Sequence, residues 1–162
     1  SLITSNLGEK IDNISNYAIT LSINSNIADV LKENPTVPEN TLEHFLVNSE
    51  LTDQAQRIIG LHKNIYAWDI LDTENHWFHS STTETDQLDS ILGPEVLDSL
   101  QTNLAFQFLG PFQISGEPTF VALKSITNID NTKYLGALVL LIRETNISSA
   151  FRDLPDLSLI HI

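Results

Sequence analysis

The 162-residue sequence predicts one α+β domain: a long amphipathic N-terminal helix, then a five-stranded antiparallel sheet with helices on one face. Three observations predict it. Apolar residues recur at helical spacing up to Glu33. The period then changes to that of strands, in runs rich in β-branched and aromatic residues. The last three runs are separated only by tight turns, which suits antiparallel neighbours.

Leu7, Ile11, Ile14, Ala18, Leu21 and Ala28 lie on one stripe of a 3.6-residue helix spanning Leu2 to about Glu33, widened by Ile27, Val30 and Leu31. Pro35 stops it, because the residue before a proline is pushed out of the α region. Such a helix is nearly 50 Å long at ~1.5 Å per residue. It is either one kinked, core-covering helix or a stalk entering from outside the domain. A second helix follows within 36–61, with Leu42, Phe45, Leu46, Leu51, Ala55, Ile58 and Ile59 as its buried face and Gly60 as its stop.

Residues 64–71 and 76–80 read as a β-hairpin around the polar turn 72–75. Segment 81–103 carries Leu88, Ile91, Leu92, Val96, Leu97 and Leu100 at helical spacings, broken at Gly93-Pro94. Strands are expected at 104–112, 119–127 and 135–143, with turns at 115–118 and 128–133. A closing helix over 146–154 ends at Pro155, and an apolar tail follows.

Eight Lys plus Arg against 21 Asp plus Glu give a net charge of −13. Nucleic acid is excluded as a partner, since phosphate binding needs clustered cations; anionic lipid is disfavoured for the same reason. With no cysteine there is no disulfide, thiolate catalysis or Cys-held zinc. No run has the roughly 20 apolar residues of a spanning helix. The chain starts at Ser1 and has no Met, which reads as a piece of something longer. His76 and His79 are three apart on a strand and point to opposite faces, so they do not share a metal. His44, His62 and His161 add no metal-ligand spacing, and no metal or other cofactor is expected. The carboxylates read mainly as a solvated acidic face, and no nucleophile–base pair or phosphate-cradling glycine loop is present, so the domain is expected to be non-catalytic. A small hydrolase or lyase with buried carboxylates is the competing enzymatic reading.

The strand 64–72 (NIYAWDILD) after a long helix, the GEPTF segment at 116–120 opening a strand that ends SITN, and YLGALVLLIRE at 134–144 before a final helix together resemble the Cache sensor domains. These are PAS-like extracytoplasmic domains of bacterial membrane receptors, and the chain resembles particularly those of sensor histidine kinases related to the YesM group. The resemblance covers about residues 2–154. It implies a stalk helix over 1–35, a single sensor domain over 36–154, and a tail over 155–162 leading to a membrane-proximal or transmembrane segment. It also implies flanking membrane helices, an extracytoplasmic location at the cell membrane and a two-component signalling output. A cytosolic PAS- or GAF-like interaction module is the alternative.

Between residues 64 and 132 Lys124 is the sole cation among many acids, set in the apolar strand 120–126. By alternation it shares a face with Phe120 and Ala122. If that face lines a pocket, the ammonium selects a carboxylate-bearing small molecule; otherwise Lys124 is a snorkelling or paired lysine. Trp77 and His79 share a face of the second strand and are expected to join Phe120, Ala122 and Lys124 at a cavity between the sheet and segment 81–103. The stripe on the first helix also suits a homodimer contact.

Overall fold

The computed structural model describes residues 2–60, 65–79, 85–130 and 132–143. The closing helix expected over 146–154 and the tail lie outside them.

Helices α1 (Leu2–Ser22) and α2 (Ser25–Glu33) replace the single long helix. The break has a local cause. The Asn24 side chain accepts a hydrogen bond from the Ile27 amide at 3.0 Å, the capping geometry that starts a new helix. Ile14, Ala18 and Leu21 of α1 and Ile27, Val30 and Leu31 of α2 are buried, as their spacing requires. Helix α3 (Leu42–Ile59) starts at Thr41, whose hydroxyl accepts from the His44 amide at 3.1 Å. Val47, Leu51, Ala55 and Ile59 form its buried stripe. Leu42, Phe45 and Leu46, expected inside, are 73, 64 and 57% exposed. They fall off that stripe in the first turns of the helix.

The strands are β1 (Ala67–Leu71), β2 (Trp77–His79), β3 (Gln107–Ile114), β4 (Glu117–Thr127) and β5 (Tyr134–Arg143), with the short helices α4 (Thr85–Ile91) and α5 (Pro94–Thr102) between β2 and β3. They form one antiparallel sheet in the order β2-β1-β5-β4-β3. The α+β class, the leading helix and the five-stranded antiparallel sheet are those the sequence predicts. Register is fixed from Ile70 opposite Leu138 through Lys124 opposite Leu138 to Phe108 opposite Ala122. Gly136 sits at φ 154°, and a Cβ there would lie 2.2 Å from the Leu71 carbonyl oxygen, so β1 and β5 approach closely only because this residue is glycine.

Alternation divides the sheet between two cores. One face carries Trp68, Ile70, Phe78, Phe108, Phe120, Ala122, Leu138 and Leu140 against α1, α2 and α3. Phe108 and Phe120 stack there with centroids 5.1 Å apart. The other carries Leu71, Trp77, Val121, Leu123, Val139 and Leu141 against Leu88 of α4, Leu100 of α5 and Leu92 between them. The three-helix layer supplies the helix-covered face that the sequence predicts, and α4 and α5 add cover on the opposite side.

Helix α1 lies along the sheet with its C-terminal end beside the β4–β5 turn: Ile23 shares a cavity wall with Thr127 and Leu135. β5 runs from this turn to the opposite end of the sheet, where Arg143 stands across from Thr119 of β4.

Candidate functional site

The structure does not bring the five sequence-predicted residues together. Phe120 and Ala122 are buried in the core under α1–α3, whereas Trp77 belongs to the core under α4 and α5. The error lies in assuming one shared face for two strands that are not neighbours; β1 and β5 stand between β2 and β4, and the register puts these residues on opposite sides. His79 pairs with Asp69 in the β1–β2 ladder. Lys124 is half-buried on β4. Its ammonium donates to the Leu104 carbonyl oxygen, tying β4 to the segment after α5, and burial lowers its pKa. Between the sheet and α4–α5, where the cavity is expected, Leu88, Leu92 and Leu100 are essentially fully buried in contact with strand residues.

Among the described residues, two cavities stand out elsewhere. The first, about 400 Å³, opens beside the outer edge of β2 and is lined by Glu39, Asn40, Thr41, His44, Phe45, Asn48 and Trp77. As an edge strand, β2 presents unpaired backbone groups. Two side chains answer them. The Trp77 amide donates to Glu39 Oε1 at 3.3 Å, and His44 Nε2 lies 2.9 Å from the Trp77 carbonyl oxygen. Since a carbonyl only accepts, Nε2 carries the proton in that contact. The His44 ring stacks on Phe78 at 4.5 Å, and the Trp77 indole donates to Asp89 at 2.8 Å. This cavity is mostly a consequence of capping the sheet edge.

The second, about 350 Å³, lies between the α1–α2 corner and the β4–β5 turn. Ile23, Ala28, Ile129 and Leu135 give it an apolar wall; Ser25, Asp29, Lys32, Thr127 and Asn128 complete it. Asn128 is occupied in shaping the turn: its side chain accepts from the Thr132 and Lys133 amides and donates to the Thr132 hydroxyl. Asp29 and Lys32 are one helical turn apart on α2, both exposed. Ile23 and Ile129 are 72 and 97% exposed at its rim. Sequence reasoning missed this site because Asp29 and Lys32 sit where a solvated helix face is expected. The available signal was Ile129, an apolar β-branched residue at a turn position that usually favours Asn, Asp or Gly.

At the end where β5 leaves the sheet, Arg143 is 9% exposed and donates to the Ile114 carbonyl at 2.7 Å and the Thr119 hydroxyl at 2.6 Å. Its Nε pairs with Glu117 at 3.1 Å, and its guanidinium lies 3.8 Å from the Tyr66 ring centroid. Among the described residues no cluster of His, Asp and Glu is arranged to hold a metal ion, and no helix is long and apolar enough to cross a membrane.

Sheet order, leading helix and inserted helices together define the fold of PAS/Cache-like sensor domains. No family model matches the chain, and no curated protein matches it. Solved structures do. The sensory domain of the Campylobacter jejuni chemoreceptor Tlp3 with isoleucine bound has a TM-score of 0.66 at 13% identity, over 95% of this chain and 60% of that one. The ligand-binding domain of the Pseudomonas fluorescens chemoreceptor CtaA in complex with L-isoleucine gives 0.62 at 10%, over 93% and 56%. The Escherichia coli DcuS sensor domain gives 0.52 at 11%, over 94% of this chain and 100% of its own. The chain thus spans about 60% of the length of the Tlp3 domain.

Proposed function

We propose that this chain is a non-catalytic, extracytoplasmic ligand-sensing domain of a transmembrane signalling receptor. It binds a carboxylate-bearing small molecule and passes the event on as a helix shift. One observation carries the reading. The fold is shared over 93–95% of the chain with chemoreceptor domains crystallised with isoleucine. Ligand binding that touches both the leading helices and the sheet can change their relative position, and a shift of roughly 1–2 Å is the usual scale for helices at such junctions. The parent is a sensor histidine kinase, following the sequence resemblance; the Tlp3 and CtaA likenesses support a chemoreceptor output as the second reading.

The test is a thermal-shift screen of the chain against amino acids, organic acids, sugars and nucleobases. A ligand at 100 times its Kd adds about 2.7 kcal/mol, or roughly 5–10 °C for a domain of this size. A flat response to every compound contradicts the reading.

A further inference from the structure

We infer that the cavity between α2 and the β4–β5 turn is a binding site for a small zwitterion with a branched apolar body, and that its occupant clamps the α1–α2 corner to the sheet. This rests on the sensing function proposed above and names the site and ligand class for it.

The argument starts from volume and lining. At about 350 Å³ the space falls within the range of small-molecule sites. Its wall is apolar where Ile23, Ala28, Ile129 and Leu135 meet. Ile23 and Ile129 are left 72 and 97% exposed, so an occupant that covers them removes apolar surface from water on the protein side as well as its own.

Charge then selects the head group. Asp29 and Lys32 border the same cavity, three residues apart on α2, where Cβ atoms are about 5–6 Å apart. An anion alone would meet the Asp29 carboxylate, and a cation alone the Lys32 ammonium. A molecule with ammonium and carboxylate on one carbon offers each a partner of opposite sign and leaves its side chain to the apolar wall. The remainder of the chain carries a strong negative excess, −13 in total, which disfavours simple anions further.

The position gives the consequence. One wall comes from the α1–α2 corner and the other from the end of β4 and the start of β5. An occupant touching both favours one placement of the α1–α2 corner against the β4–β5 turn.

The experiment is calorimetric titration of the chain with L-isoleucine, 3-methylpentanoate (no ammonium) and 2-methylbutylamine (no carboxylate), repeated on Asp29→Asn, Lys32→Gln and the cavity-filling Ala28→Leu. All three substitutions are at exposed or half-buried helix positions, and thermal melts check that each variant folds. The expected result is saturable isoleucine binding, at least tenfold weaker for either single-charge analogue and for each variant. Isoleucine binding unchanged in all three variants overturns the site and leaves the sensing function standing. Binding of another compound of the screen but not isoleucine overturns the ligand class. Silence across the whole screen overturns the sensing function itself.

Discussion

Arg143, the last residue of β5, lies with its guanidinium 3.8 Å from the centroid of the Tyr66 ring, so the residue leading into β1 and the residue ending β5 close on one another. The same guanidinium reaches both strands of the β3–β4 hairpin through Ile114 and Thr119. Arg143→Ala takes the donor from the buried Ile114 carbonyl, while the Thr119 hydroxyl keeps its bond to the Glu117 carbonyl. The substitution is expected to cost about 1–3 kcal/mol in urea denaturation. Arg143→Lys recovers little, because one ammonium does not reproduce a planar fork. Glu117→Gln is expected to cost under about 1 kcal/mol, since the Glu117 side chain is 63% exposed. Equal losses in the alanine and glutamine variants would show that the ion pair, not the neutral contacts, holds the cluster.

At the other edge of the sheet, His44 and Glu39 stand in for a missing strand beside Trp77. His44→Ala removes the donor to the Trp77 carbonyl and the stack on Phe78, and a loss of about 1–3 kcal/mol is expected. Leu46→Ser, at an exposed position of the same helix, should stay within about 0.5 kcal/mol. Urea midpoints measured side by side check both; a larger effect for Leu46 would mean that the exposed apolar face of α3 is engaged.

Tyr134 opens β5, and its phenol is pushed up to about 12 from 10.0, first by burial and second by the Asp72 carboxylate. An unfolded chain gives up that proton near pH 10, while the folded one keeps it until about pH 12. The contribution is intact below pH 10 and is lost as pH rises towards 12. Alkaline titration followed by tyrosinate absorbance should show one tyrosine ionising last, and Asp72→Asn should bring it part of the way back. A Tyr134→Phe variant with the same slow-titrating component would contradict the assignment.

Gly136→Ala places a methyl 2.2 Å from the Leu71 carbonyl oxygen in backbone that alanine rarely adopts. The β1–β5 ladder must separate locally, and a loss of several kcal/mol, on the order of the largest single-residue effects, is expected in thermal melts. A near-native melting temperature would mean that the two strands are less closely joined than Ala137 opposite Leu71 implies.

Lys124→Met keeps the stem of the side chain and deletes the ammonium that holds the Leu104 carbonyl. A stability loss of about 1–3 kcal/mol with unaltered ligand affinity is the expected pair of results. Loss of affinity at unchanged stability would return Lys124 to a ligand site.

Element type was legible because period and turn chemistry are local. The spacing of Ile14, Ala18 and Leu21 and the change of period before Ala67 both carry through to the structure. The break at Asn24 was less so, since an asparagine in a polar helix face and an asparagine capping a new helix differ only in one hydrogen bond. The site was not legible from alternation alone. Alternation says which residues of one strand share a side; it does not say which side two distant strands present in common. Trp77 and Lys124 needed the order β2-β1-β5-β4 between them before their faces could be compared. The charged border of the second cavity was hidden for a different reason, because Asp29 and Lys32 gain meaning only from the β4–β5 turn folded against them.

The most direct measurement of the central claim is a spin-label distance between α1 and the start of β4. The chain has no cysteine, so single cysteines at Glu9 and Glu117, both exposed, label cleanly. Added L-isoleucine should move the mean distance by roughly 1–2 Å and narrow its distribution. Superimposable distributions with and without saturating isoleucine, in a chain shown to bind it, would contradict a ligand-driven helix shift.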